Sequence, residues 1–123
     1  MRKIEIAAQG VTATAVLYDN ATAEAIWQAL PFDGRVNRWG DEIYFGIPVR
    51  LDPAPDARTE MEVGELAYWP PGNAFCIFWG PTTASEGDAP RAASPVNPLG
   101  RLEGDPTIWG AVSDGAAIRI KRV

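Results

Sequence analysis

Proline and glycine punctuate this sequence so often that long helices are excluded. The 123 residues include 12 glycines and 11 prolines, which divide the chain into short runs separated by turns. Within the runs, apolar and polar side chains alternate with a period of two, as half-buried strands require. Lys3 to Ala8 sets Ile4 and Ile6 on one face and Lys3 and Glu5 on the other. Val11 to Tyr18 alternates Thr12, Thr14 and Val16 with Val11, Ala13, Ala15 and Leu17, and Gln9-Gly10 between the two runs reads as a hairpin turn. Further on, Ile43, Phe45 and Ile47 point one way while Glu42 and Tyr44 point the other. Ala116 to Val123 sets Ile118 and Ile120 against Arg119 and Lys121.

Other runs carry different signals. Phe75 to Trp79 is apolar throughout and is expected as a central strand covered on both faces. Leu66 to Trp69 is a strand between the turn at Val63-Gly64-Glu65 and the break at Pro70-Pro71-Gly72. Asp33-Gly34 is expected to turn, Pro48 to Arg58 to loop, and Gly80 to Pro95 to form a long polar loop. Pro95 to Glu103 reads as a strand that Pro98 confines to an edge or a bulge. Only Ala21 to Leu30 has helical spacing, with Asp19-Asn20 as N-cap, Ala23, Ile26, Trp27 and Leu30 on one face, and Pro31 as the stop. A second, shorter helix starts at Asp105-Pro106 and is weakened by Gly110. The length suits a single domain over residues 1–123, and many short strands point to a mainly β barrel or sandwich.

The chemistry is bounded by what is missing. There is no histidine, so no imidazole base, no His metal ligand and no Ser-His-Asp machine. Cys76 is the single cysteine and cannot form an intrachain disulfide; its apolar strand makes it a core thiol. Asp41 and Glu42 fall on opposite sides of a strand, and Asp52 with Asp56, or Glu60 with Glu62, lack the ligand count for calcium. No metal and no cofactor are therefore expected. A net charge of -5 disfavours nucleic acid as a partner. Met1-Arg2-Lys3-Ile4-Glu5-Ile6 is too charged for a signal peptide, and no apolar run reaches the ~20 residues of a membrane helix. A cytoplasmic protein without membrane partners is the expectation.

Several stretches carry a resemblance. They are Leu30-Pro31-Phe32, Asn37-Arg38-Trp39-Gly40-Asp41-Glu42-Ile43-Tyr44-Phe45, Tyr68-Trp69-Pro70-Pro71-Gly72-Asn73-Ala74, Cys76-Ile77-Phe78-Trp79-Gly80-Pro81-Thr82, and Ser94-Pro95-Val96-Asn97 followed by Gly100. In order and along nearly the whole chain they resemble the small prokaryotic cyclophilin-like family. The resemblance implies a closed β-barrel with a short helix capping each end. True cyclophilins are peptidyl-prolyl isomerases whose site combines an arginine, an aromatic pocket, a histidine and a tryptophan. Here histidine is absent, and no arginine sits in an isomerase motif.

Candidate site residues follow from the strand faces and the aromatic runs. Glu42 and Tyr44, with Arg35 or Arg38, either line a groove or form a solvated strand face. Trp39 and Trp69 either rim that groove or fill core, and Pro70-Pro71-Gly72 is either its rigid edge or a plain turn. Thr82, in the polar loop, either closes over a ligand or lies idle at the surface. The resulting expectation is a binding module for a small polar molecule or an extended peptide, perched on Arg35, Arg38, Trp39, Glu42, Tyr44, Trp69 and Thr82. The alternatives are a peptidyl-prolyl isomerase with a histidine-free site and a structural role as a homodimer.

Overall fold

The computed structural model of the protein describes residues 1–123. The alternating runs form β1 (Lys3–Ala8) and β2 (Val11–Leu17), paired as an antiparallel hairpin through Gln9-Gly10. The helix α1 (Ala21–Ala29) follows, and the Asn20 Oδ1 caps it by accepting from the Ala23 N–H at 2.8 Å. The remaining strands are β3 (Phe32–Arg35), β4 (Asn37–Arg38), β5 (Glu42–Gly46), β6 (Arg58–Glu60), β7 (Glu65–Trp69), β8 (Ala74–Phe78), β9 (Arg91–Leu102) and β10 (Ala117–Arg122). Two 3-10 turns cover Pro70–Gly72 and Pro106–Ala111. The second short helix is therefore a 3-10 turn, capped as expected by Asp105, whose carboxylate accepts from the Thr107 N–H. No helix is long and apolar enough to cross a membrane.

One antiparallel sheet runs in the order β3-β10-β1-β2-β9-β7-β8-β5-β4, with β6 pairing separately on β9. The closed barrel implied by the resemblance does not form, because no ladder joins β3 to β4. The reason lies in the chain path. Only Val36 separates these two edge strands, so one continuous segment supplies both edges, and a strand cannot pair with its own continuation. Packing covers the gap instead: a Cβ on Gly34 would stand 2.5 Å from the Phe45 ring. That close approach explains why Gly34 lies inside β3 and not in the expected turn.

A second correction concerns β9. It begins at Arg91, before the expected strand; it lies between β2 and β7, so of the edge or the bulge expected at Pro98 the structure has the bulge. The register slips between Leu66 and Ala67, which pair with Gly100 and Pro98. This bulge lets Pro98 sit in an interior strand without a ladder donor. Beyond the bulge, Arg91 to Val96 peels away to pair with β6.

The alternation sorts each strand into two faces. The inward face holds a core of 24 buried residues, including Ile4 and Ile6 of β1, Phe45 of β5, Tyr68 of β7, Phe75 and Ile77 of β8, and Ile118 and Ile120 of β10. Ile26 of α1 and Trp109 of the Pro106–Ala111 turn enter the same core. Phe75 packs against Phe45 in a tilted arrangement with ring centroids 5.6 Å apart and meets Phe32 edge-on at 6.4 Å. The Tyr68 hydroxyl donates to Val49 O and accepts from the Leu51 N–H, so its polar tip is satisfied.

Candidate functional site: an aromatic pocket with a buried carboxyl

The other face of β5, β8 and β7 carries Glu42, Tyr44, Cys76, Phe78, Ala67 and Trp69. The register sets Tyr44 and Ala67 opposite Cys76, and Glu42 opposite Phe78. The ribbon of β6 and β9 folds over this face and forms a second, smaller core of Met61, Ala67, Cys76, Phe78, Ala92 and Val96, with Tyr44 and Trp69 packed against it. The cover is incomplete. It leaves a pocket of about 250 Å³ lined by Trp39, Glu42, Tyr44, Trp69, Cys76, Ala92, Ala93 and Val96.

The rim is set by local structure. Trp39 and Glu42 exchange backbone hydrogen bonds across the β4–β5 turn. That turn is tied to the end of β8, where the Asp41 N–H donates to Pro81 O and the Trp79 N–H donates to Asp41 O. Trp69 ends β7 and meets Tyr44 edge-on, with centroids 6.1 Å apart. Its indole N–H donates to Ser94 Oγ at 2.7 Å, which anchors the ring to β9. The ring also lies on Gly72, where a Cβ would come within 2.7 Å of it. The Pro70–Gly72 turn thus seats one wall of the pocket, and its glycine is required by that contact.

Glu42 sits at the base, only 5% exposed, and forms no ion pair. Burial raises its pKa to about 8, and a hydrogen bond with the Cys76 thiol draws it back only in part. At neutral pH the carboxyl is mostly protonated and can both donate and accept a hydrogen bond. Burial, together with the neighbouring Glu42, pushes the Cys76 thiol well above its ordinary range, so it is not a thiolate nucleophile.

Glu65 shows what a satisfied buried carboxylate looks like in the same molecule. It is 1% exposed, yet it accepts from Arg58 in a fork, from the Glu62 N–H at 3.0 Å and from the Tyr18 hydroxyl at 2.8 Å. Burial pushes its pKa up, but these hydrogen bonds outweigh burial and hold it below the usual carboxylate value. Glu42 has no such partners.

The structure brings Trp39, Glu42, Tyr44 and Trp69 together. Arg35, Arg38 and Thr82 lie elsewhere. Arg35 donates to Gly115 O at 3.1 Å from β3. Arg38 donates to Gly110 O at 2.7 Å and Gly40 O at 3.1 Å, and its guanidinium covers Trp79. The Thr82 hydroxyl donates to Arg91 O and tethers the loop to the start of β9. Cys76 is buried as expected, but it also lines the pocket. Ala92 and Ala93 gave no sequence signal, since Gly80 to Pro95 was expected to be loop, and Val96 was expected on a strand but not at the site. No group of three or more His, Cys, Asp or Glu side chains comes together to hold a metal ion.

Comparison with known proteins gives a consistent picture. No match was found among curated proteins. The solution structure of the hypothetical protein AF2241 from Archaeoglobus fulgidus is similar, with 33% sequence identity and a TM-score of 0.84, covering 99% of this chain and 95% of that one. A family model described as cyclophilin-like matches residues 2–121. With fold, length and sequence in agreement, this chain belongs to the cyclophilin-like family.

Proposed function

We propose that this protein is a binding module that seats one small molecule in the pocket between β5, β8, β7 and β9, with the ligand's polar head on Glu42 and its body between Trp39, Tyr44 and Trp69. The observation that carries this reading is the Glu42 carboxyl at the base of an otherwise apolar pocket, with no ion pair and only the Cys76 thiol as hydrogen-bond partner. A carboxyl with one weak thiol partner leaves hydrogen-bonding capacity open toward the pocket, and a ligand head would use it. The pocket is smaller than the ~300–1,000 Å³ of most ligand sites at about 250 Å³, which favours a small molecule over an extended peptide. The isomerase reading needs a donor near the imide nitrogen, and no arginine lines the pocket; this favours binding over catalysis.

The test uses three probes of matched size: benzyl alcohol, benzylammonium and benzoate. In an NMR titration of labelled protein, at least one is expected to shift the indole N–H signals of Trp39 and Trp69. Trp69→Ala is expected to keep a dispersed amide spectrum and lose that response, and Tyr44→Phe to weaken it less. If no probe shifts these signals at millimolar concentration, or if Trp69→Ala binds like wild type, the reading is wrong.

A further inference from the structure

The pocket's charge is one-sided. Its ionisable side chains are Glu42 and Tyr44 on β5 and Cys76 on β8, and none can become positive. The residues that β9 contributes, Ala92, Ala93 and Val96, do not titrate, and neither does Trp69 at the end of β7. The cations nearest in sequence are occupied: Arg38 on backbone carbonyls and Trp79, and Arg91 toward Glu60 at 3.9 Å. An anionic ligand would meet a carboxyl and three aromatic rings with no counter-charge. A cation would meet one carboxylate and three electron-rich aromatic rings, a combination that attracts organic ammonium ions.

Building on the binding reading above, we infer that the ligand is a small organic ammonium ion, held by the Glu42 carboxylate and enclosed by Trp39, Tyr44 and Trp69. In the empty pocket Glu42 carries a proton that offsets the cost of burial. On binding, that O–H proton leaves to solvent, and an N–H of the incoming ammonium donates to the carboxylate in its place. The charge balances: one positive ion enters and one proton departs. The proton that neutralises the site during folding is thus the competitor that the ligand displaces.

The same three probes separate this inference from the reading it rests on. At pH 8 benzylammonium is expected to bind about tenfold or more tightly than benzyl alcohol, with benzoate weakest. From pH 6 to pH 7, where Glu42 is mostly protonated, its affinity is expected to rise about tenfold, and then less steeply to pH 8, while that of benzyl alcohol stays flat. Glu42→Gln, which mimics the protonated acid, is expected to abolish both the preference and the pH dependence. If benzyl alcohol binds as tightly as benzylammonium, or if Glu42→Gln keeps the preference, the ammonium inference falls and the pocket reading stands. If none of the three probes binds, the pocket reading itself fails.

Discussion

The two cores of this protein are built from the same strands and obey different rules. On β8, Phe75 and Ile77 face the large core, while Cys76 and Phe78 face the small one. On β5, Ile43 and Phe45 face inward, while Glu42 and Tyr44 face the pocket. The large core is enclosed by the curled sheet and is filled with interlocking rings. The small core lies under a two-stranded ribbon that does not cover it fully, and a carboxyl and a thiol share its floor. The difference teaches that a strand period of two can divide labour: alternate residues hold the fold together and leave their neighbours free to form a site.

The largest expected effect tests that division directly. Phe75→Ala removes a fully buried ring from the large core and should cost ~3–5 kcal/mol of stability, read by chemical denaturation. A loss no greater than that of a surface substitution would break the comparison.

The next effect concerns Glu42. Its folded pKa of about 8 lies above the ordinary value of 4.5, so between these limits the folded state holds a proton that the unfolded chain has lost. That contribution to stability is complete below the unfolded value and is lost as pH rises through the folded one. Stability should fall with rising pH across this window by at most about 1.4 kcal/mol per unit. Glu42→Gln should remove this component of the slope, checked by denaturation at a series of pH values.

The smallest effect is on β8's outward face. Cys76→Ala should cost about 1 kcal/mol or less, since few atoms are removed. It should also raise the Glu42 pKa further, because the thiol hydrogen bond that lowers it is gone. A carboxyl-carbon NMR titration reads that shift, and a fall in the pKa would contradict the arrangement described for the pocket floor.

Much of this was legible in the residue order. The alternations of Lys3–Ala8, Val11–Leu17 and Glu42–Gly46 became β1, β2 and β5, and Asn20 capped α1. The same alternation put Glu42 and Tyr44 on one face, and the structure adds that this face lines the pocket. What it could not convey was contact between distant segments. Gly34 reads as a turn residue until the Phe45 ring is seen against it. Pro98 reads as a mark of either an edge or a bulge, and the choice of the bulge depends on the register with β7. The arginines misled for a related reason: Arg35 and Arg38 have long side chains whose direction is set by the carbonyls of Gly115 and Gly110, far away in sequence. Cys76 reads as a core thiol, and it is buried, but an all-apolar strand says that both faces are covered, not how completely, so its place on the pocket wall is not legible.

The segment around Val36 has a mechanical consequence. The two rims of the sheet are one length of chain joined through Val36, with consecutive Cα atoms only ~3.8 Å apart across each peptide bond. The hoop is therefore buckled by a covalent link where a barrel would use hydrogen bonds. Near this junction the rims cannot drift apart by fraying, and a foreign strand seeking an unpaired edge would find it fastened to its own opposite.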